Sequence, residues 1–185
     1  YISNKDDSWQ TILDFDKLGA DENESWVYKG HSLCELHSNN IKGKEPHRTL
    51  MKISRGGADA TVIREYDIKE KRFIPESEGG FVVPEAKSRV SWLTEESILI
   101  GTDFKDGNNQ LTDSGYPRTV RIWKRGTPLS SAQQVYEGEK SDVACSGYFV
   151  EHNGYAIEWR CRSVTFYTSK YSIRLANSDE WYDLD

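Results

Sequence analysis

Four carboxylates, Asp59, Glu65, Asp103 and Asp142, are of the type that paired acid–base chemistry on a glycoside would use, provided they met across a shared channel. Their spacing gives no sign of such a meeting. The histidines, His31, His37, His47 and His152, fall in turns or near strand ends, and none has a nucleophile at a spacing that would make it a general base. A hydrolase serine needs Gly-x-Ser-x-Gly between a strand and a helix. Ser114-Gly115 and Ser146-Gly147 both lack the first glycine. No residue is therefore assigned a catalytic, cofactor-binding or metal-binding role. The loop Asp103-Phe104-Lys105-Asp106-Gly107-Asn108-Asn109, with Asp113 beyond it, has oxygen ligands for calcium but departs from the alternate-position pattern and terminal Glu of an EF-hand, so a polar turn is expected. Gly56-Gly57 and Gly79-Gly80 are too isolated for phosphate loops and read as turns or bulges.

Cys34, Cys145 and Cys161 include no Cys-x-x-Cys pair and no histidine at zinc-finger spacing, which excludes a structural zinc of that kind. Their odd number speaks against a disulfide framework. Reduced, buried thiols are the expectation, with a Cys145 to Cys161 bridge between neighbouring strands as the alternative. The formal charge is −6, with acidic and basic residues interleaved along the chain. The densest basic group, Arg118, Arg121, Lys124 and Arg125, alternates between two strand faces, whereas a phosphate site needs cations converging on one, so nucleic acid is not expected as a partner. No apolar run approaches the roughly 20 residues of a membrane helix, and Tyr1 to Gln10 lacks the apolar stretch of a signal peptide. The chain reads as soluble. Its start at Tyr1 rather than Met leaves the compartment open, with the cytoplasm favoured. One glycosylation triplet, Asn23-Glu24-Ser25, is of a kind that arises often by chance.

The elements holding these residues follow period-two alternation bounded by Gly, Asn, Asp, Ser and Pro, the pattern of antiparallel strands, and the chain is expected to be all-β. One short helix is expected at Asp16 to Glu22, with Asp16 as its cap. Strands are expected in three groups of four. The first comprises Ser25 to Leu33, His47 to Ser54, Ala60 to Ile68 and Arg72 to Ile74. The second comprises Ser88 to Leu93, Ile98 to Phe104, Arg118 to Lys124 and Gln134 to Glu137. The third comprises Val143 to Val150, Tyr155 to Ser163, Thr165 to Leu175 and Trp181 to Leu184. Ile63-Arg64-Glu65-Tyr66 superposes on Val120-Arg121-Ile122-Trp123, setting the aromatics 57 positions apart. A four-stranded unit recurring every roughly 40 to 60 residues is what β-propeller blades produce, since each sheet can bury its faces only against its neighbours. The organisation read from this is a lead-in at 1–24 and blades at 25–80, 81–140 and 141–185. Tyr66, Trp92, Phe104, Trp123 and Trp159 are then inter-blade packing residues, with Trp26 and Trp181 less clearly so.

Three stretches carry more than this general pattern: Ser54-Arg55-Gly56-Gly57-Ala58-Asp59-Ala60 leading into Arg64-Glu65-Tyr66-Asp67, then Pro84-Glu85-Ala86-Lys87-Ser88-Arg89-Val90-Ser91-Trp92, then Leu111-Thr112-Asp113-Ser114-Gly115-Tyr116-Pro117-Arg118. With Ile122-Trp123-Lys124-Arg125-Gly126-Thr127-Pro128 they resemble, in order over most of Trp9 to Glu139, the propeller of bacterial prolyl oligopeptidase-family serine peptidases. The resemblance implies a larger enzyme in which a seven-bladed propeller covers an α/β-hydrolase domain and admits only short peptides. The nucleophile, acid and histidine would then all belong to the hydrolase domain, and this chain would supply about three blades, catalysing nothing alone. The competing readings are a protein-interaction propeller and a propeller-type glycosidase. A partial propeller leaves terminal faces bare, so self-association, most simply as a dimer, is expected.

Overall fold

The computed structural model describes residues 10–35, 47–107, 110–152 and 154–184. One helix, α1 (Phe15–Glu22), precedes three antiparallel sheets. The first contains β1 (Trp26–Leu33), β2 (Arg48–Arg55), β3 (Thr61–Asp67), β4 (Arg72–Phe73) and β5 (Val82–Ala86). The second is β6 (Arg89–Thr94), β7 (Ser97–Gly101), β8 (Thr119–Lys124) and β9 (Gln133–Glu137). The third is β10 (Ala144–His152), β11 (Tyr155–Ser163), β12 (Ser169–Leu175) and β13 (Tyr182–Leu184). The first four strands of the first sheet, and all four of the second and third, follow one another in chain order, the meander of a propeller blade.

Three local expectations change. The helix starts one residue early because Asp14, not Asp16, caps it: its Oδ1 accepts the amides of Asp16 and Lys17, both at 3.0 Å. The division at residue 81 falls inside the first sheet. A 3₁₀ turn at Glu76–Glu78 sends the chain back, and β5 pairs with β3 through Thr61↔Ala86, Ile63↔Val83 and Arg64↔Val82, on the edge that the two-residue β4 leaves uncovered. Gly80 permits this return, since a Cβ there would lie 2.1 Å from the Ile74 carbonyl oxygen. The hairpin after β11 is longer than expected. The Thr165 hydroxyl accepts the amides of Tyr167 and Thr168, which holds residues 164–168 in a turn and delays β12 to Ser169.

The main core lies between the first two sheets. Leu50, Ile63 and Val83 face Val90, Trp92, Ile98, Ile100 and Trp123, and the Phe81 ring meets those of Trp92 and Trp123 edge-on at 5.8 and 5.1 Å. Phe104 lies beyond the end of β7 but joins this core. The third sheet packs on the second closely enough that a Cβ on Gly147 would lie 3.0 Å from Val120 Cγ1.

The two end faces differ, where both were expected to be bare. The outer face of the first sheet, with Met51, Ile53 and Tyr66, is buried beneath residues 10–23: the Tyr66 hydroxyl donates to the Ile12 carbonyl at 2.6 Å, and Arg64 and the Trp26 indole both bond the Glu22 carboxylate. The outer face of the third sheet is open. Tyr148↔Trp159, Val150↔Ile157, Trp159↔Ile173, Ile157↔Leu175 and Tyr171↔Leu184 form one apolar surface, with Tyr148, Val150, Tyr171 and Leu175 each 42–48% exposed. Trp159 therefore stands on this half-covered surface rather than in a closed interface.

Candidate functional site

The three stretches singled out in the sequence meet on one rim. In alternating antiparallel sheets the β2–β3 turn, the β5–β6 connection and the long β7–β8 connection all emerge at the same end. Gly56 (φ 59°) and Gly57 (φ 84°) supply the left-handed turn that carries Asp59 outward. Asp59 Oδ2 accepts the Tyr116 hydroxyl at 2.7 Å and lies 3.4 Å from Lys87 Nζ. The Lys87 ammonium and the Arg89 guanidinium sit over the Tyr116 ring at 4.5 and 5.2 Å. The bond from Tyr116 holds the Asp59 carboxyl below its ordinary value, helped by Lys87, and the same bond holds the Tyr116 hydroxyl above its own.

The rim also reaches the third sheet. Ser114 and Thr112 hydroxyls donate to the Val143 carbonyl at 2.7 and 3.0 Å, and Cys145 donates its amide to the Pro117 carbonyl at 2.7 Å. Asp59, Lys87, Tyr116 and Ser114 thus link all three sheets at one end. Composition and spacing did not mark these side chains as a group; the family-like order of the stretches was the signal pointing to them.

The carboxylates weighed for glycoside chemistry do not assemble. Glu65, fully buried, is held by both terminal nitrogens of Arg125 at 2.8 and 3.0 Å and by the Phe81 amide at 3.0 Å. Asp142 is bound by Arg162 at 2.7 and 3.1 Å and by the Glu139 amide. Burial pushes the Asp142 carboxyl up, but the Arg162 and Glu139 bonds outweigh it and leave the group below its usual value. Asp103 caps the Lys105 amide, while Asp106 bonds Arg121 and Asp113 lies 3.6 Å from Lys140, so the loop considered for calcium spends its carboxylates separately. Asn108 and Asn109 lie outside the described residues. Among the described residues no group of three His, Cys, Asp or Glu side chains stands in ligating geometry.

The basic group is likewise distributed. Arg118 pairs with Glu137, Arg121 with Asp106 and Arg125 with Glu65, while Lys124 is exposed. The His31 ring bonds the Tyr28 hydroxyl, and the His47 carbonyl accepts the Ile68 amide; His37 and the side chain of His152 lie outside the described residues. Cys145 pairs with Arg162 and Cys161 with Ser146, which places the two buried thiols on opposite faces of the third sheet, out of bonding reach of each other. Burial pushes the Cys145 thiol up to about 12. Cys34 is only half-buried. Among the described residues no helix is long and apolar enough to cross a membrane.

Three successive meander sheets, stacked face to face with their connections gathered on a common rim, define a run of β-propeller blades. Residues 2–157 match the family model described as the prolyl oligopeptidase N-terminal β-propeller domain. The chain is 34% identical over 164 residues, 88% of its length, to an uncharacterized peptidase of Sinorhizobium fredii, and 28% identical over 151 residues to one of Rickettsia prowazekii. It superposes on a post-proline cleaving enzyme from Rickettsia typhi with a TM-score of 0.76 at 24% identity, over 95% of this chain and 25% of that one. It also superposes on a prolyl endopeptidase structure with a TM-score of 0.64 at 10% identity. At those identities the superpositions show the fold. The chain belongs to the prolyl oligopeptidase family, as part of its propeller domain, and spans about a fifth of the length of the curated relatives it matches.

Proposed function

We propose that this chain is the propeller segment that gates an α/β-hydrolase domain in a serine peptidase of short peptides, and that it hydrolyses nothing by itself. The observation carrying this reading is the rim. The stretches most like the family's propeller gather at one end of the blades and tie the three sheets together through Asp59, Lys87, Tyr116 and Ser114. A gate needs a face that stays closed to large substrates, and cross-links between adjacent blades supply the stiffness for it. The relatives' description as peptidases, one of them post-proline cleaving, makes a short proline-containing peptide the natural substrate to try.

The test compares the full-length peptidase with its Asp59→Ala/Tyr116→Phe double variant on two proline-containing peptides, one short and one far longer. Loss of the rim link is expected to leave short-peptide cleavage within about twofold and to raise cleavage of the long peptide. Equal exclusion of the long peptide by both proteins would sink the gating role of this rim. The isolated 185-residue chain should release no product from either.

We also propose that the isolated chain dimerises through the open face of the third sheet, since that surface carries no charged side chain among its paired apolar residues while the opposite end is covered. One bare face gives a closed pair rather than a polymer. Sedimentation should show a concentration-dependent dimer that Tyr148→Lys abolishes; higher oligomers would contradict it.

A further inference from the structure

Between the second and third sheets the packing leaves a cavity of about 250 Å³, the volume of about eight water molecules. Its floor is apolar, made by Leu99, Val120, Ile122 and Val135. The β10 position opposite Arg160 is Gly147, which lines the cavity and lets the two sheets approach closely at that edge. Arg160 forms one wall. Its guanidinium lies 3.6 Å from the Trp181 ring centre and 4.9 Å from that of Tyr136, so both rings hold it in place.

This arginine makes no direct ion pair among the described residues, since the nearby Glu158 is engaged by Arg174. Arg174, lining the same cavity, is neutralised by Glu158 at 3.1 Å, and Arg118, Arg121, Arg125 and Arg162 all have carboxylates. Arg160 has none among the described residues: it makes one bond, to the Val135 carbonyl at 3.0 Å, and has four further N–H donors. Burial, and then the neighbouring Arg174, push it below the ordinary arginine value, and the more distant attraction of Glu158 across the cavity only partly offsets them. Arg160 is half-buried, so its remaining donors stay open to a partner entering the cavity.

We propose that this inter-sheet cavity binds a small apolar carboxylate, with the carboxylate on Arg160 and the hydrocarbon body among Leu99, Val120, Ile122 and Val135. Arginine presents a planar fork that matches a carboxylate's two oxygens, and the aromatic walls fix the fork's orientation. The shared chemistry, an apolar group ending in a carboxylate, is found both in free organic acids and at the C-terminus of a short peptide.

Calorimetric titration of the 185-residue chain with 4-phenylbutyrate and with its neutral amide reads the charge requirement directly. The acid should bind saturably and the amide should not. Arg160→Gln should weaken the acid about tenfold or more, the loss of a charge-assisted hydrogen bond, and Arg160→Lys should recover part of it. The dipeptide Ala-Phe, tested with free and amidated C-termini, separates the sources: binding of its free form assigns the site to chain ends as well, and binding of phenylbutyrate alone assigns it to free acids. Absence of saturable binding by either acid, equal binding of acid and amide, or an Arg160→Gln chain that keeps full affinity would overturn the proposal. The acid–amide comparison uses the unaltered chain and so does not depend on how any variant folds.

Discussion

Replacing Arg125 with Met tests how the first two sheets are joined. Arg125 lies just after β8, yet its partners belong largely to the first sheet: both oxygens of Glu65 at 2.8 and 3.0 Å and the Gly79 carbonyl at 3.0 Å, besides the Glu95 carbonyl at 2.7 Å. Its side chain is 14% exposed and that of Glu65 is 0% exposed. Removing the guanidinium strands a buried carboxylate, a change that ordinarily costs about 3–5 kcal/mol. Two contacts remain to Glu65, the Phe81 amide at 3.0 Å and Arg48 at 3.6 Å, which places the expected loss near the lower end, about 3 kcal/mol. Urea unfolding followed by circular dichroism should show the midpoint fall with an unchanged slope. Glu65→Leu combined with Arg125→Met should recover most of the loss, because an apolar pair of similar size removes both the charge and its partner. Arg72→Met, at a pair whose two side chains are both 51% exposed, should cost under about 1 kcal/mol. If Arg125→Met cost no more than Arg72→Met, or if the double variant were as unstable as the single one, the inter-sheet ion pair would not be what joins these sheets.

Asp142→Asn should lower stability above the ordinary carboxylate range and matter little in strong acid: the native carboxyl is held low, so its contribution is present above its unfolded value and fades as the pH falls through the native one, which paired acid-unfolding curves would show. Cys145, whose thiol ionises only near 12 when folded, should resist a thiol-specific chromogen at pH 8 and react on unfolding in urea. Because the unfolded thiol gives up its proton near 9 and the native one near 12, stability should decline as the pH rises through that interval, and Cys145→Ala should flatten the decline. Phe166→Ser and Tyr167→Ser, at a hairpin tip where the rings are 84% and 97% exposed, should shift the melting temperature by less than about 2 °C.

Much of the fold was legible because each strand advertises itself by alternation. Tyr66 and Trp123, matched 57 positions apart in the sequence, both lie on the third strand of their sheets and both face the N-terminal side, Tyr66 against Ile12 and Trp123 against Phe81. What the pattern missed depends on pairing across distance. Val82–Ala86 reads like the opening of a new blade, and only its ladder with β3 returns it to the previous one. On the third sheet the corresponding face carries Arg174 stacked on Trp181 instead of an apolar residue, so no aromatic signal marks it. The rim was half legible. Its stretches stood out by family likeness, but the bond from Tyr116 to Asp59 spans 57 residues of chain and leaves no local trace.

The cover that residues 10–23 lay over the first sheet has a temporal meaning. Every sheet's first-buried face rests on residues already made: Tyr66 on Ile12, Trp123 on Phe81, Gly147 on Val120. As the chain leaves the ribosome at about 5–20 residues per second, the β1–β5 sheet finds residues 10–23 already made, and each of these sheets becomes the mould for the next. Within the described residues, then, the sheets can be laid down in chain order, each on a surface already in place.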